Sequence, residues 1–261
     1  MIQDLKIFLW VIKLGALINI YFLLQTVLPP LAYADNQVLV PARVLFTVSA
    51  FRCLFPVNYV SKVVLHNSPL SSIFWTRLFA TFSEIAMIYL FSYLLRLFNI
   101  YQLFWVDIFS WFMVVQVVLS QCFVWGAILT DRLKLYFYEE LGWWFIFAAN
   151  TFASVYLNLT VDDFSERELL IQLNIIFGIF YLPWQLFHLK SLQTIANHQE
   201  KEKSETKTNW NIILKGFYQS IHVKNKSTQP KDWGGIIGIT WMTSYWATLI
   251  PVWIYLIIIG I

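Results

Sequence analysis

Long apolar runs separated by short polar stretches dominate this chain, and each run is near the roughly 20 helical residues that cross a hydrocarbon core. Seven can be drawn, from Leu5 to Leu28, Val38 to Val57, Phe74 to Leu97, Leu103 to Ile128, Leu141 to Leu159, Leu169 to Leu189 and Gly235 to Ile261. Pro29-Pro30 closes the first and Pro56 the second, since proline carries no amide hydrogen and clashes with the preceding turn. The second run contains Arg43 and Arg52, so a re-entrant or interfacial element is an alternative there. The expected fold is an all-α integral membrane protein, a polytopic bundle of about seven transmembrane helices, or six if 38–57 is re-entrant. It is expected to form a single transmembrane domain over 1–261.

Charge in the connections orients the bundle. The stretch between His188 and Trp233 holds eight lysines against four acidic residues, whereas Thr160–Glu168 carries Asp162, Asp163, Glu166 and Glu168 against Arg167 alone. Cytoplasmic loops hold the excess of Lys and Arg, which puts the long loop inside and the acidic turn outside. Seven spans then place Lys6, Lys62, Arg132 and Lys134 inside, with a cytoplasmic N-terminus. Within the loop at 189–232, His198–Thr208 reads as a solvated linker. Trp210, Ile213, Leu214, Phe217 and Ile221 then recur at helical spacing, predicting an amphipathic surface helix over 209–221. Ala32-Tyr33-Ala34 resembles a signal-peptidase site, but the preceding apolar run is long for a signal peptide and an uncleaved first span is expected.

Composition agrees with the pattern: of 261 residues 59% are hydrophobic, 19% aromatic and 13% charged. Soluble domains carry about 25% charged residues, so this chain lacks the polar shell one would need. The expected partners are membrane lipids and, as an alternative, another membrane protein. Nucleic acid is excluded, because no basic face remains outside the spans. Cys53 and Cys122 lie singly in apolar runs, which excludes a disulfide framework.

Ionisable residues within spans are costly and mark candidate chemistry. Glu84 lies near the centre of the third run, and Arg77, seven residues earlier, shares its helical face. Arg43 and Arg52 are the other cations able to meet Glu84. Gln116 and Asn150 fall at similar depth in the fourth and fifth runs, so the geometry allows a pocket of Glu84, Gln116 and Asn150. Asp107 lies in the outer third of the fourth run. Glu84, Arg77 and Asp107 are thus the candidate catalytic residues, and Gln116, Asn150 and Arg52 the candidate substrate-binding ones. The competing account is that these groups only bond helix to helix. Glu139-Glu140 is expected to be a solvated helix start.

The four histidines never pair at metal-binding spacing, and neither a phosphate-binding glycine loop nor a G-x-S-x-G elbow occurs. Asp162-Asp163-Phe-Ser-Glu166 stands alone as a carboxylate group, so no metal or cofactor is expected. Three functions stay open, in descending order. The first is a membrane-embedded enzyme acting on a lipid or isoprenoid by acid-base chemistry. The second is a non-catalytic subunit or assembly factor of a membrane complex. The third is a small-solute transporter or channel, disfavoured because no internal repeat is visible.

Overall fold

The computed structural model describes residues 4–160, 168–202 and 210–260. The acidic turn's Asp162, Asp163 and Glu166, and most of the linker before Trp210, lie outside them. Among the described residues ten α-helices form in chain order: α1 Lys6–Val11, α2 Leu14–Gln25, α3 Asn36–Leu54, α4 Ile73–Phe98, α5 Phe104–Thr130, α6 Leu133–Thr160, α7 Glu168–Glu202, α8 Trp210–His222, α9 Gly235–Trp241 and α10 Leu249–Gly260. Among the described residues, six segments are helical, long and apolar enough to cross a membrane: Lys6–Gln25, Asn36–Leu54, Ile73–Phe98, Phe104–Thr130, Glu168–Gln199 and Gly235–Gly260. The described residues are thus mostly helical and fit a multi-pass membrane protein. Helix α6 is 28 residues long but is not among the six, its apolar character diluted by Glu139, Glu140, Asn150 and Asn158.

The doubtful second run is one continuous helix. Its two arginines do not interrupt α3, because each meets partners that the fold supplies. Arg43 donates from Nε to Thr26 Oγ1 at 3.1 Å and from Nη2 to the Thr26 carbonyl at 2.6 Å, satisfying an acceptor left over at the end of α2. Asp35 caps the start of α3 by accepting from the Gln37 amide at 2.8 Å.

The chain forms two compact units, one from the residues up to Met87 with Phe217–Ile259, the other from Ile88–Gly216 with Gly260. In the first unit, Gly15 lets α2 approach the last span so closely that a Cβ there would sit 2.5 Å from the Ala247 Cβ. A small sheet joins its loops. Val57–Asn58 (β1) pairs antiparallel with Val63–Val64 (β2), which pairs parallel with Asn225–Lys226 (β3). In the second unit α5, α6 and α7 pack side by side. Asn174 Nδ2 donates to Ser154 Oγ at 3.2 Å and to Asn150 Oδ1 at 3.4 Å, so these two polar residues of α6 are bonded across to α7.

The last apolar run is not one uniform helix. Between α9 and α10, Met242–Ala247 winds as a π-helix, and Thr248 leaves helical geometry at φ −134°, ψ −83°. Widening the turn redirects carbonyls and side chains, which is why such segments recur at functional positions. Here the Trp246 carbonyl accepts from Asn19 Nδ2 at 2.9 Å and from Cys53 Sγ at 3.5 Å, pinning the segment to α2 and α3.

Candidate functional site

Within the first unit, the π-segment and the facing parts of α3 and α4 enclose an ionic cluster. On α4, seven residues are close to two turns, so Arg77 and Glu84 lie one above the other. Arg77 grips Glu84 through both oxygens, Nη1 to Oε1 at 3.1 Å and Nη2 to Oε2 at 2.6 Å. From α3, Arg52 brings its Nη1 to 3.8 Å from Glu84 Oε1, an ion-pair distance but too long for a hydrogen bond. Residue exposures are 5% for Arg52, 1% for Arg77 and 4% for Glu84. Two guanidinium groups therefore share one carboxylate where almost no water reaches, and the group carries a formal excess of one positive charge.

Aromatic rings take up part of that excess. The Arg52 guanidinium lies 4.4 Å from the Trp246 ring centroid and 5.2 Å from that of Tyr245, and Arg77 lies 5.9 Å from the Tyr59 ring. The negative faces of aromatic rings attract cations, more strongly once both are desolvated. Ser83 Oγ and the Tyr245 hydroxyl stand 3.5 Å apart, with either able to donate. Arg52 is incompletely served: its Nε and Nη1 are buried without a hydrogen-bond partner.

The other predicted site residues fall in the second unit. Asp107 accepts from Asn99 Nδ2 at 3.1 Å near the start of α5. Close by, Arg96 Nη1 donates to Ser92 Oγ at 2.5 Å and Ser110 Oγ at 3.2 Å, with its guanidinium 4.4 Å from the Trp111 ring. Gln116 packs against Gly142, where a Cβ would come within 2.6 Å of its Nε2. Asn150 is buried and bonded to Asn174. The structure thus brings together Glu84, Arg77 and Arg52, and separately gives Asp107, Gln116 and Asn150 partners within the second unit.

Sequence reasoning missed two groups. Tyr245 and Trp246 have no sequence signal, because nothing in Met242–Ala247 announces a π-turn. The second group surrounds Glu139-Glu140, expected at a solvated helix start. Helix α6 instead begins at Leu133, six residues before Glu139, so the pair lies almost two turns inside and Glu139 is buried. Gln185 Nε2 donates to Glu140 Oε2 at 2.7 Å, and His188 Nε2 lies 3.9 Å from Glu140 Oε1. The three-residue step from Gln185 to His188 on α7 was the available clue. No group of three or more His, Cys, Asp or Glu among the described residues could hold a metal ion.

No family model, curated protein or solved structure matches the chain.

Proposed function

We propose that the chain is a membrane-embedded enzyme acting on a lipid or isoprenoid, with the Arg52–Glu84–Arg77 cluster as its polar centre. The observation that carries the reading is a carboxylate and two arginines gathered at 6% side-chain exposure or less within a unit otherwise rich in apolar helix. Ionisable groups at such depth are expensive, and a fold that assembles three of them has a use for their charge. In this reading Glu84 is the proton acceptor and the Tyr245 hydroxyl, against Ser83, the neutral donor, while Arg52 and Arg77 hold the substrate's polar end. Asp107, Gln116 and Asn150 are assigned supporting roles, Asp107 through its place beside Arg96.

The accompanying topology has seven spans, with α6 as the fifth. It puts the N-terminus and the α7–α8 connection in the cytoplasm, following the lysine excess. The first span stays uncleaved, in keeping with the Arg43–Thr26 and Asn19–Trp246 bonds that tie it to the rest of its unit.

Mass spectrometry of lipid extracts tests the enzymatic reading. Membranes of a host expressing the chain are expected to gain or lose a lipid species relative to an empty host, and Glu84→Gln should cancel that difference while accumulating to the same level. Identical extracts from wild type and the empty host would remove the enzymatic reading.

A second reading, a non-catalytic subunit, draws on the same closure. A cluster so fully enclosed also suits a purely architectural ion network. That reading predicts a partner co-purifying in mild detergent, and unchanged lipid extracts.

A further inference from the structure

The charge balance of the cluster and the unserved atoms of Arg52 concern the same guanidinium. Glu84 spends both oxygens on Arg77, so Arg52 faces a carboxylate already engaged and stops 3.8 Å short of it. Its Nε and Nη1 are buried and receive no acceptor from the protein. Leaving a buried donor unmade is costly, and more so for a charged group. The ring faces of Trp246 and Tyr245 offset charge but do not supply a lone pair in the guanidinium plane. An oxyanion with one negative charge would answer both the charge balance and the two donors.

Position selects its source. Arg52 lies two residues before the C-terminal end of α3, and Arg77 four residues after the start of α4. At 1.5 Å per residue these offsets are about 3 and 6 Å, within reach of a long side chain from the headgroup level. Leu54, the last residue of α3, is 40% exposed, so the helix end beside Arg52 presents an apolar surface to its surroundings. An amphiphile whose acyl chains lie along such a surface would carry its anionic group to the depth of Arg52.

We propose that Arg52, with Arg77 behind it, binds the phosphodiester of an acidic phospholipid. The singly charged phosphate brings the cluster to neutrality, and its oxygens accept from Arg52 Nε and Nη1 once the side chains that enclose those two atoms move aside. The shared chemistry is a phosphate oxyanion, which free phosphate also offers. The inference rests on the reading above for the location of the polar centre and names the class of ligand, but it does not require turnover.

The test uses the full chain purified in a neutral maltoside detergent, with unfolding followed by intrinsic tryptophan fluorescence. Phosphatidylglycerol, phosphatidylcholine with the same acyl chains, and inorganic phosphate are titrated separately. A ligand that binds only the folded state raises Tm with its concentration. Phosphatidylglycerol is expected to raise the wild-type Tm at concentrations at least tenfold below those at which phosphatidylcholine does so, and Arg52→Met is expected to erase that tenfold preference. Arg52→Met removes the cation and leaves the Arg77–Glu84 pair intact, so it should fold. Should it not accumulate, Arg52→Lys, which keeps the charge but reorients the donors, is expected to weaken the preference at least threefold.

Equal responses of wild type to the two lipids would overturn the proposal. So would an undiminished preference in Arg52→Met, which would assign the effect to surface lysines. An Arg52-dependent response to inorganic phosphate alone would overturn the lipid as the source and leave a free oxyanion in its place. These outcomes are separable from the lipid-extract experiment, since binding can succeed where turnover is absent.

Discussion

The two units treat an arginine on an apolar helix in opposite ways. In the second unit, half-buried Arg96 has the hydroxyls of Ser92 and Ser110, the face of Trp111 and the nearby charge of Asp107. Both hydroxyls are also held elsewhere: Ser92 Oγ donates to the Ser110 carbonyl at 2.7 Å, and Ser110 Oγ to the Asp107 carbonyl at 2.7 Å. In the first unit, Arg52 and Arg77 compete for one carboxylate at far greater burial, and the loser keeps idle donors. The first arrangement is complete in itself and serves as a fastening. The second leaves two buried donors of Arg52 without an acceptor, and the proposed phosphate site rests on that difference.

The widest separation between the two should come from Arg77→Met. Glu84 would lose the guanidinium that holds both its oxygens, and breaking a buried pair from one side costs about 3–5 kcal/mol. Thermal unfolding in detergent should show the loss, and a Tm within a degree or two of wild type would contradict the charge balance drawn for the cluster. Gly15→Val tests the support of the π-segment. Its Cβ would press on Ala247 Cβ and Cα, so overpacking of about 1–3 kcal/mol is expected, with reduced lipid preference because Tyr245 and Trp246 move with that segment.

Arg96→Met should be milder, about 1–2 kcal/mol, because its partners retain other bonds. A loss as large as that from Arg77→Met would erase the contrast between the units.

The smallest effect concerns His66, in the loop before α4. Burial, and then the charges of Lys13 and Lys226, lower its pKa below the ordinary 6.5, and its ring meets Trp10 edge-on at 5.4 Å. The folded state therefore prefers the neutral ring. The stability it contributes is present above pH 6.5 and is lost as pH falls through the lowered folded value. Tm should decline slightly from pH 7.5 to 5.5, and His66→Gln should flatten part of that decline.

Much of the helical layout was legible because apolar runs near 20 residues have few other uses. Glu84 and Arg77 were legible too, since their seven-residue spacing defines a shared face. The bounds were less so. Helix α6 starts eight residues earlier than its apolar run, because Leu133, Tyr136 and Phe137 continue the helix through charged positions that hydropathy discounts. That shift is what carried Glu139 into the interior and hid its neighbours on α7. Tyr245 and Trp246 were illegible for a different reason. A π-turn is produced by tertiary demands, here the close approach of Ala247 to Gly15 and the calls of Asn19 and Cys53 on one carbonyl, and no local propensity encodes it. Arg52 could be named as a possible partner of Glu84, but its unfilled donors depend on Arg77 having won the carboxylate, which is a matter of geometry.

Helix α7 has 35 residues, giving a rod of about 52 Å at 1.5 Å per residue. A hydrocarbon slab is about 30 Å thick, so even a tilted α7 overshoots it by several turns. Gln199 braces the overshooting end, accepting from the Leu133 amide at 2.8 Å and donating to the Asp131 carbonyl at 3.1 Å. In a bilayer of that thickness α7 would emerge as a stiff mast whose foot is tied to the α5–α6 corner. A spin label at exposed Thr194 should then report aqueous collision rates and restricted tumbling together.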